Sequence, residues 1–277
     1  MTDILQQIVA AKRGELATRQ AAVPLAEVRA AAADRPPARD FAGALRGPRP
    51  RGSGAEVRII AEIKRRSPSK GEFPWHGDVA RQVRAYGEGG ARAVSVVTDG
   101  PFFGGSPELL QQVRAATALP VLQKDFVLEP YQVYAARALG ADAVLLIAAI
   151  LAPALLAELA ALAREVGIAT LVEVTGEAEL AAATAAGAAV VGVNNRDLRT
   201  FRTDVAHTLT LLPRFRDDQV AVTESGIHTR ADVTRLLAAG VDAFLIGEAL
   251  MTAADPTAHL RALRGLPLPE AAHGAAG

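Results

Sequence analysis

Lysines and glutamates recur in this chain where short apolar runs end, and paired groups of opposite charge are the raw material of general acid–base chemistry. The run 57–63 contains Glu62 and is followed by Lys64, while Lys124 and Glu173 stand near the ends of runs 120–126 and 169–174. Asp99 follows run 94–98, Asn194 and Arg196 close run 190–195, and Glu224 with Ser225 closes run 221–225. Alternation with period two puts Glu62 and Lys64 on one face of a strand. Taken alone, a buried Glu–Lys pair reads equally well as a structural ion pair or as a catalytic one. Lys124 and Glu173 at equivalent positions of two other runs favour a site in which two lysines and two glutamates surround one small ligand.

Beside Lys64 the chain reads Arg65-Arg66-Ser67-Pro68-Ser69-Lys70-Gly71, a loop of hydroxyls, backbone donors and cations. Alone it is a solvated basic turn; with Glu224-Ser225-Gly226 and Ile246-Gly247-Glu248 it predicts a phosphate seat on backbone N–H groups. Asn194-Asn195-Arg196-Asp197 either orients a substrate hydroxyl or carboxylate, or caps the next helix. Phe103 and Phe126 stand beside run ends, where an aromatic ligand would pack if they are not simply core. Run 143–149 ends without charge, in Ile147-Ala148-Ala149-Ile150-Leu151, which predicts one apolar wall. The five histidines, His76, His207, His228, His259 and His273, have no ligand spacing between them, so a metal site or a Ser-His-Asp triad has little support.

Positioning these groups at one place requires a parallel sheet. Eight apolar runs, the last being 243–246, alternate with helical stretches rich in Ala, Leu, Glu and Arg. A small signature repeats before four of them: Gly90-Ala91-Arg92-Ala93, Gly140-Ala141-Asp142-Ala143, Gly187-Ala188-Ala189 and Gly240-Val241-Asp242-Ala243. In each, a glycine ends the preceding helix and small residues turn the chain into a buried strand. The absence of a Gly-x-Gly-x-x-Gly turn after the first run favours a closed (β/α)8 TIM barrel over an open doubly wound sheet. A closed barrel gathers all the run ends at one mouth.

The 277 residues suit one such domain with a short extension. Residues 1–56 form an N-terminal helical extension and loop, with Thr2 or Asp3 capping a first helix through Ile4, Ile8 and Leu16 and a second helix at 25–33. Stretch 46–56 reads as a mobile loop with little to bury. The barrel spans 57–266, closing on a helix around 257–263, and 267–277 is a loose tail. Lys plus Arg equals Asp plus Glu at 30 each, which gives no global field for nucleic acid or acidic membranes. With no cysteine and no signal-like or spanning apolar stretch, the cytosol is the expected compartment. A monomer, or at most a weak dimer, is expected.

Several segments together resemble the indole-3-glycerol phosphate synthase family over nearly the whole chain. They are Glu62-Ile63-Lys64-Arg65-Arg66-Ser67-Pro68-Ser69-Lys70-Gly71, Val96-Val97-Thr98-Asp99, Phe103-Gly104-Gly105-Ser106, Lys124-Asp125-Phe126, Leu171-Val172-Glu173-Val174, Asn194-Asn195-Arg196-Asp197-Leu198 and Glu224-Ser225-Gly226-Ile227, with Ile4-Leu5-Gln6-Gln7-Ile8-Val9 and Lys12 ahead of them. The resemblance implies closure of 1-(2-carboxyphenylamino)-1-deoxyribulose 5-phosphate to indole-3-glycerol phosphate, with loss of carbon dioxide and water, and no cofactor. It implies Lys124 as general acid on the carbonyl, Lys64 on the anthranilate carboxylate, and Glu173 and Glu62 as candidate bases. Asn194 and Arg196 would serve the sugar hydroxyls and carboxylate region, Phe103 and Phe126 would border the ring, and Ser67, Ser225, Gly226, Gly247 and Glu248 would hold the phosphate, partly by main chain. The chain departs from the usual pattern at Thr175-Gly176, where a His is common, and at Phe73-Pro74-Trp75-His76-Gly77.

An exposed lysine titrates at about 10.4, so proton donation near neutrality is expected to need a neighbouring cation or desolvation to lower it. Loss of carbon dioxide would release Lys64 from its anchor and free it for the dehydration. The rival readings are a barrel using Lys124 or Lys64 as a Schiff-base nucleophile, as aldolases do, and a barrel that binds a phosphorylated ligand without turning it over. Phosphoribosylanthranilate isomerase, another barrel of the same pathway, relies in its usual form on a cysteine this chain lacks.

Overall fold

The computed structural model describes residues 4–49, 51, 56–75, 77–196 and 202–267. Two helices, α1 (Ile4–Ala22) and α2 (Leu25–Ala33), precede the sheet as expected, and Leu16, Val28 and Ala32 bury against Tyr131 and Tyr134 of the helix Pro130–Leu139. The proposed caps Thr2 and Asp3 lie outside the described residues, as do His76, Asp197, Leu198, His273 and the tail from residue 268.

A third helix, α3 (Phe41–Leu45), was not anticipated. The Asp40 side chain accepts from the Gly43 amide and caps it, and Phe41 and Leu45 are fully buried. They pack on Ile60, Ala93, Leu122, Ala143, Val190, Val220 and Ala243, near the starts of the strands, so the helix plugs the end of the barrel opposite the mouth.

The strands follow in chain order as β1 (Arg58–Ile63), the two-residue pair β2 (Arg66–Ser67) and β3 (Gly71–Glu72), then β4 (Ala93–Val97), β5 (Val121–Lys124), β6 (Ala143–Ile147), β7 (Ala169–Val174), β8 (Val190–Asn194), β9 (Val220–Glu224) and β10 (Ala243–Ile246). Among the described residues, β1 and β4 to β10 close into one barrel in the order β1-β10-β9-β8-β7-β6-β5-β4, every pairing parallel. The strands are apolar on both faces because one face lines the interior and the other meets a helix. In β1, Ile60 belongs to the interior cluster, while Ile59, Ala61 and Ile63 pack outward. Period two then carries Glu62 and Lys64 to the inner face at the mouth.

The repeated signature acts as its residue types suggest: Gly140 and Gly240 end their helices at φ 90° and 106°, in the left-handed region open to glycine. The aspartates that follow serve as staples, since Asp142 Oδ2 accepts from the Val121 amide at 2.8 Å and Asp242 Oδ2 from the Ala221 amide at 2.9 Å.

The expectation of a mobile stretch at 46–56 is overturned over its described part. Arg49 Nη1 donates to Asp242 Oδ1 at 2.7 Å and Arg49 Nη2 to the Gln219 carbonyl at 2.9 Å, while Arg51 Nη2 reaches that carbonyl at 2.7 Å and Arg46 Nη1 the Asp218 carbonyl at 3.0 Å. The segment has little apolar surface, but its guanidinium groups satisfy a buried carboxylate and open carbonyls beside β9, which fastens it to the barrel floor.

Candidate active site

Charged residues from four strands meet at the mouth. Lys64 Nζ lies 2.7 Å from Glu62 Oε1, and Lys124 Nζ lies 3.0 Å from Glu224 Oε2, 3.6 Å from Glu62 Oε2 and 3.7 Å from Glu173 Oε2. Strand register explains the convergence: Ile147 pairs with Glu173 and Asn194 with Glu224, so these residues occupy the last inward layer of the barrel. Glycines make room for the carboxylates. A Cβ at Gly192 would stand 2.2 Å from Glu224 Oε1, and one at Gly247 would stand 2.3 Å from Glu62 Oε1.

The carboxylates are nearly sealed from water, yet they titrate in opposite directions. Burial alone would raise Glu62, but Lys64 and Lys124 outweigh it and hold the carboxyl down to about 2. Glu224 is pushed up to about 7 by burial, with Glu173 and Glu62 adding to the rise and Lys124 opposing it. For Lys124, desolvation acts to lower the pKa, but Glu224, Glu62 and Glu173 overcome it and the ammonium is raised above the ordinary lysine range. The expected depression of this lysine is therefore wrong for the free protein, because three acids surround it and the second ammonium is paired with Glu62.

Glu224 is the site residue that the sequence reading did not assign to the acid–base cluster. Its signal was present, since it ends an apolar run as Glu173 does, but the adjacent Ser225-Gly226 drew it into the phosphate reading. Lys12 is a second omission, buried with its ammonium 2.8 Å from Asp125 Oδ1 and 3.1 Å from Asp99 Oδ1.

The two asparagines face different ways. Asn194 enters the site: Nδ2 donates to Glu173 Oε1 at 3.2 Å, and Oδ1 accepts from Ser225 Oγ at 3.0 Å. Asn195 turns away and accepts from the Thr208 amide at 3.1 Å in the first turn of the helix Ala206–Leu211.

A cavity at the mouth is lined by Lys64, Lys124, Glu62 and Glu173 and by the apolar Val97, Leu145 and Ile147, the last two from the uncharged β6 as expected. Phe103 and Phe126 form a tilted pair there with centroids 5.9 Å apart, and Ile4, Leu5 and Ile8 of α1 close over it. Ser67 and Ser69 also line this cavity, whereas Gly226, Gly247 and the His228 region line an adjoining recess; Ser225, Arg196 and Glu248 border both. Ser225 has φ 67°, a left-handed conformation for a residue with a Cβ, which turns the chain sharply beneath that recess.

The side chain of Glu248 is engaged within the protein. Its carboxylate pairs with Lys70 at 3.2 Å and Arg196 Nη2 at 3.4 Å, and burial, which would raise it, is outweighed by these cations so that its pKa is lowered. The carboxylate holds Lys70 and Arg196 in place beside the recess, which leaves the main chain as the part of Glu248 that could meet a phosphate. Arg196 also donates to Ser69 Oγ at 2.7 Å, which ties the loop after β8 to the loop after β1. Among the described residues, no group of three or more His, Asp or Glu is arranged to hold a metal ion, and no helix is long and apolar enough to cross a membrane.

The sequence model of the indole-3-glycerol phosphate synthase family matches residues 5–263. The chain belongs to the indole-3-glycerol phosphate synthase family. It is similar to the indole-3-glycerol phosphate synthase of Azoarcus sp. (strain BH72), 51% identical over 267 residues that cover 96% of this chain and 100% of that one. The synthase of Albidiferax ferrireducens is likewise 51% identical, over 256 residues covering 92% and 96%. Among solved structures, the barrel is similar to thiamine phosphate pyrophosphorylase from Pyrococcus furiosus, with TM-score 0.57 and 19% identity over 76% of this chain and 95% of that one. It is also similar to 3-hexulose-6-phosphate synthase from Salmonella typhimurium, with TM-score 0.61 and 15% identity over 76% and 97%. At such identities these two likenesses show the fold alone. The family is named for the synthesis of indole-3-glycerol phosphate.

Proposed function

We propose that this chain closes 1-(2-carboxyphenylamino)-1-deoxyribulose 5-phosphate to indole-3-glycerol phosphate in tryptophan biosynthesis, with Lys124 and Lys64 moving the protons. The observation that carries the reading is Lys124 Nζ within 4 Å of three carboxylates beside an apolar, aromatic-lined cavity. The ring carbon bearing the carboxylate attacks the sugar ketone, and the developing alkoxide takes a proton from the Lys124 ammonium. An alkoxide is a stronger base than an amine, so an ammonium held above the usual lysine range still donates to it. Glu224, 3.0 Å away, is placed to return a proton to the neutral amine.

Lys64 anchors the substrate carboxylate until it departs as carbon dioxide, and is then free to assist departure of the hydroxyl as water. Glu173, oriented by Asn194, or Glu62 accepts the proton released as the indole forms. Ser225, Gly226 and Gly247 hold the phosphate with main-chain donors, while Lys70 and Arg196 supply positive charge. Phe103 and Phe126 border the aromatic ring. A Schiff-base route requires a neutral amine, which the acids around Lys124 disfavour.

The chain is read as acting in the cytosol as a monomer: among the described residues the exposed large hydrophobics are only Val23, Leu25 and Leu266, too few for an obligate interface. The test is incubation with the synthetic anilino-ribulose phosphate while indole fluorescence is followed. Product should appear with one carbon dioxide per turnover, and Lys124→Gln should lose about 10²–10⁴ in kcat. Tight binding of the substrate with no indole formed would refute the reading.

A further inference from the structure

Lys12 carries the one buried ammonium in this region that the reaction above does not use. The side chain is 2% exposed, and Nζ lies 2.8 Å from Asp125 Oδ1, 3.1 Å from Asp99 Oδ1 and 2.8 Å from Glu15 Oε2. Glu15 is satisfied separately by Arg19 at 2.7 Å, whereas Asp99 and Asp125 are almost wholly buried at 1% and 4% exposure. Neither has another cation within ion-pair distance among the described residues.

Each of these aspartates holds one side of the aromatic wall. Asp99 lies two residues beyond β4, and its Oδ2 accepts from the Phe102 amide at 2.9 Å, capping the turn Gly100–Phe103 that presents Phe103 to the cavity. Asp125 directly follows Lys124; its Oδ1 accepts from the Phe126 amide at 2.7 Å and its Oδ2 from Thr98 Oγ1 at 2.6 Å. Without an ammonium between them, two desolvated carboxylates would face each other and move toward water, carrying the Phe102 and Phe126 amides with them. Lys12 also belongs to α1, whose Ile4, Leu5 and Ile8 close the same cavity a turn or two earlier.

We propose that Lys12 is a positioning residue that sets affinity for the aromatic half of the substrate, by clamping the loops after β4 and β5 so that Phe103 and Phe126 face each other beneath α1. This rests on the indole-forming reading for the identity of the ring. The recess lined by Ser225, Gly226 and Gly247, which adjoins this cavity, is lined by none of Lys12, Asp99, Asp125, Phe103 and Phe126.

The test compares the full-length chain with Lys12→Met, which keeps the stem and removes the charge. Steady-state kinetics with the anilino-ribulose phosphate should show KM raised tenfold or more, kcat lowered less than fivefold, and the competitive inhibition constant of inorganic phosphate changed less than twofold. Unchanged KM in the folded variant overturns the proposal; so does a parallel rise of KM and the phosphate constant, which marks general loosening. If Lys12→Met does not fold, Asp99→Asn retains an acceptor for the Phe102 amide and should raise KM about threefold; an unchanged KM there also overturns it. A wild-type chain that makes no indole sinks the reaction reading instead, and the clamp is then tested by titrating anthranilate fluorescence, where equal affinities of wild type and Lys12→Met count against it.

Discussion

Glu62, Glu173 and Glu224 share two ammonium groups, Lys64 and Lys124, so with every group ionised the cluster carries one excess negative charge. Glu224 is where a proton relieves that excess. Its folded pKa, about 7, stands above the ordinary value of 4.5. The folded state therefore binds the proton more tightly than the unfolded chain, and stability falls as pH rises from about 4.5 to 7. Glu62, held to about 2, acts in the opposite sense: its contribution is present above 4.5 and is lost as pH falls toward 2. Glu224→Gln should thus match wild type near pH 5 and exceed it at pH 8 by up to about 3 kcal/mol, read from urea denaturation at the two pH values. Equal differences at both would exclude Glu224 as the protonated acid. Lys64→Gln should leave ring closure at its normal rate in rapid-mixing experiments and stall the dehydration; equal losses in both steps would count against the sequential role of Lys64. At this scale the sequence was legible wherever strand alternation alone aims a side chain, as for Glu62 and Lys64. It was not legible where neighbours decide the charge state, because the acids around Lys124 come from β1, β7 and β9, which only the closed ring brings together.

All eight barrel strands lie within two residues of their apolar runs, since a strand buried on both faces needs an uninterrupted stretch of hydrophobic residues. The helix α3 escaped for the converse reason. Its five residues, Phe-Ala-Gly-Ala-Leu, are too few to display a helical period and contain a glycine at their centre. Only the barrel floor, a tertiary context, makes Phe41 and Leu45 core residues. Leu45→Ala should therefore lower stability by about 2–5 kcal/mol in urea unfolding. KM should remain unchanged at temperatures where the variant is folded, because the plug lies at the opposite end from the mouth; a raised KM would mean that the floor and the site are coupled. The arginine-rich stretch after α3 was misread because guanidinium groups were counted as surface, whereas Asp242 and the carbonyls at 217–219 give them partners within the fold.

Over the whole molecule, charge balance pointed to local chemistry for anion recognition, and Lys64, Lys70, Lys124 and Arg196 stand together at the barrel mouth. The family match spans 5–263 and so takes in the leading helices together with the barrel. Closure of the ring has a further consequence. β1 pairs with β10, from Arg58 opposite Ala243 to Ala61 opposite Ile246, and Glu62 tucks against Gly247. The first barrel strand thus finds one neighbour, β4, early in synthesis and its other neighbour only when the final strand has emerged. A translation product cut short before the tenth strand would leave β1 and β9 as unpaired edges, so that Glu62 and Glu224, the acids on either side of Lys124, would sit on strands that nothing holds together.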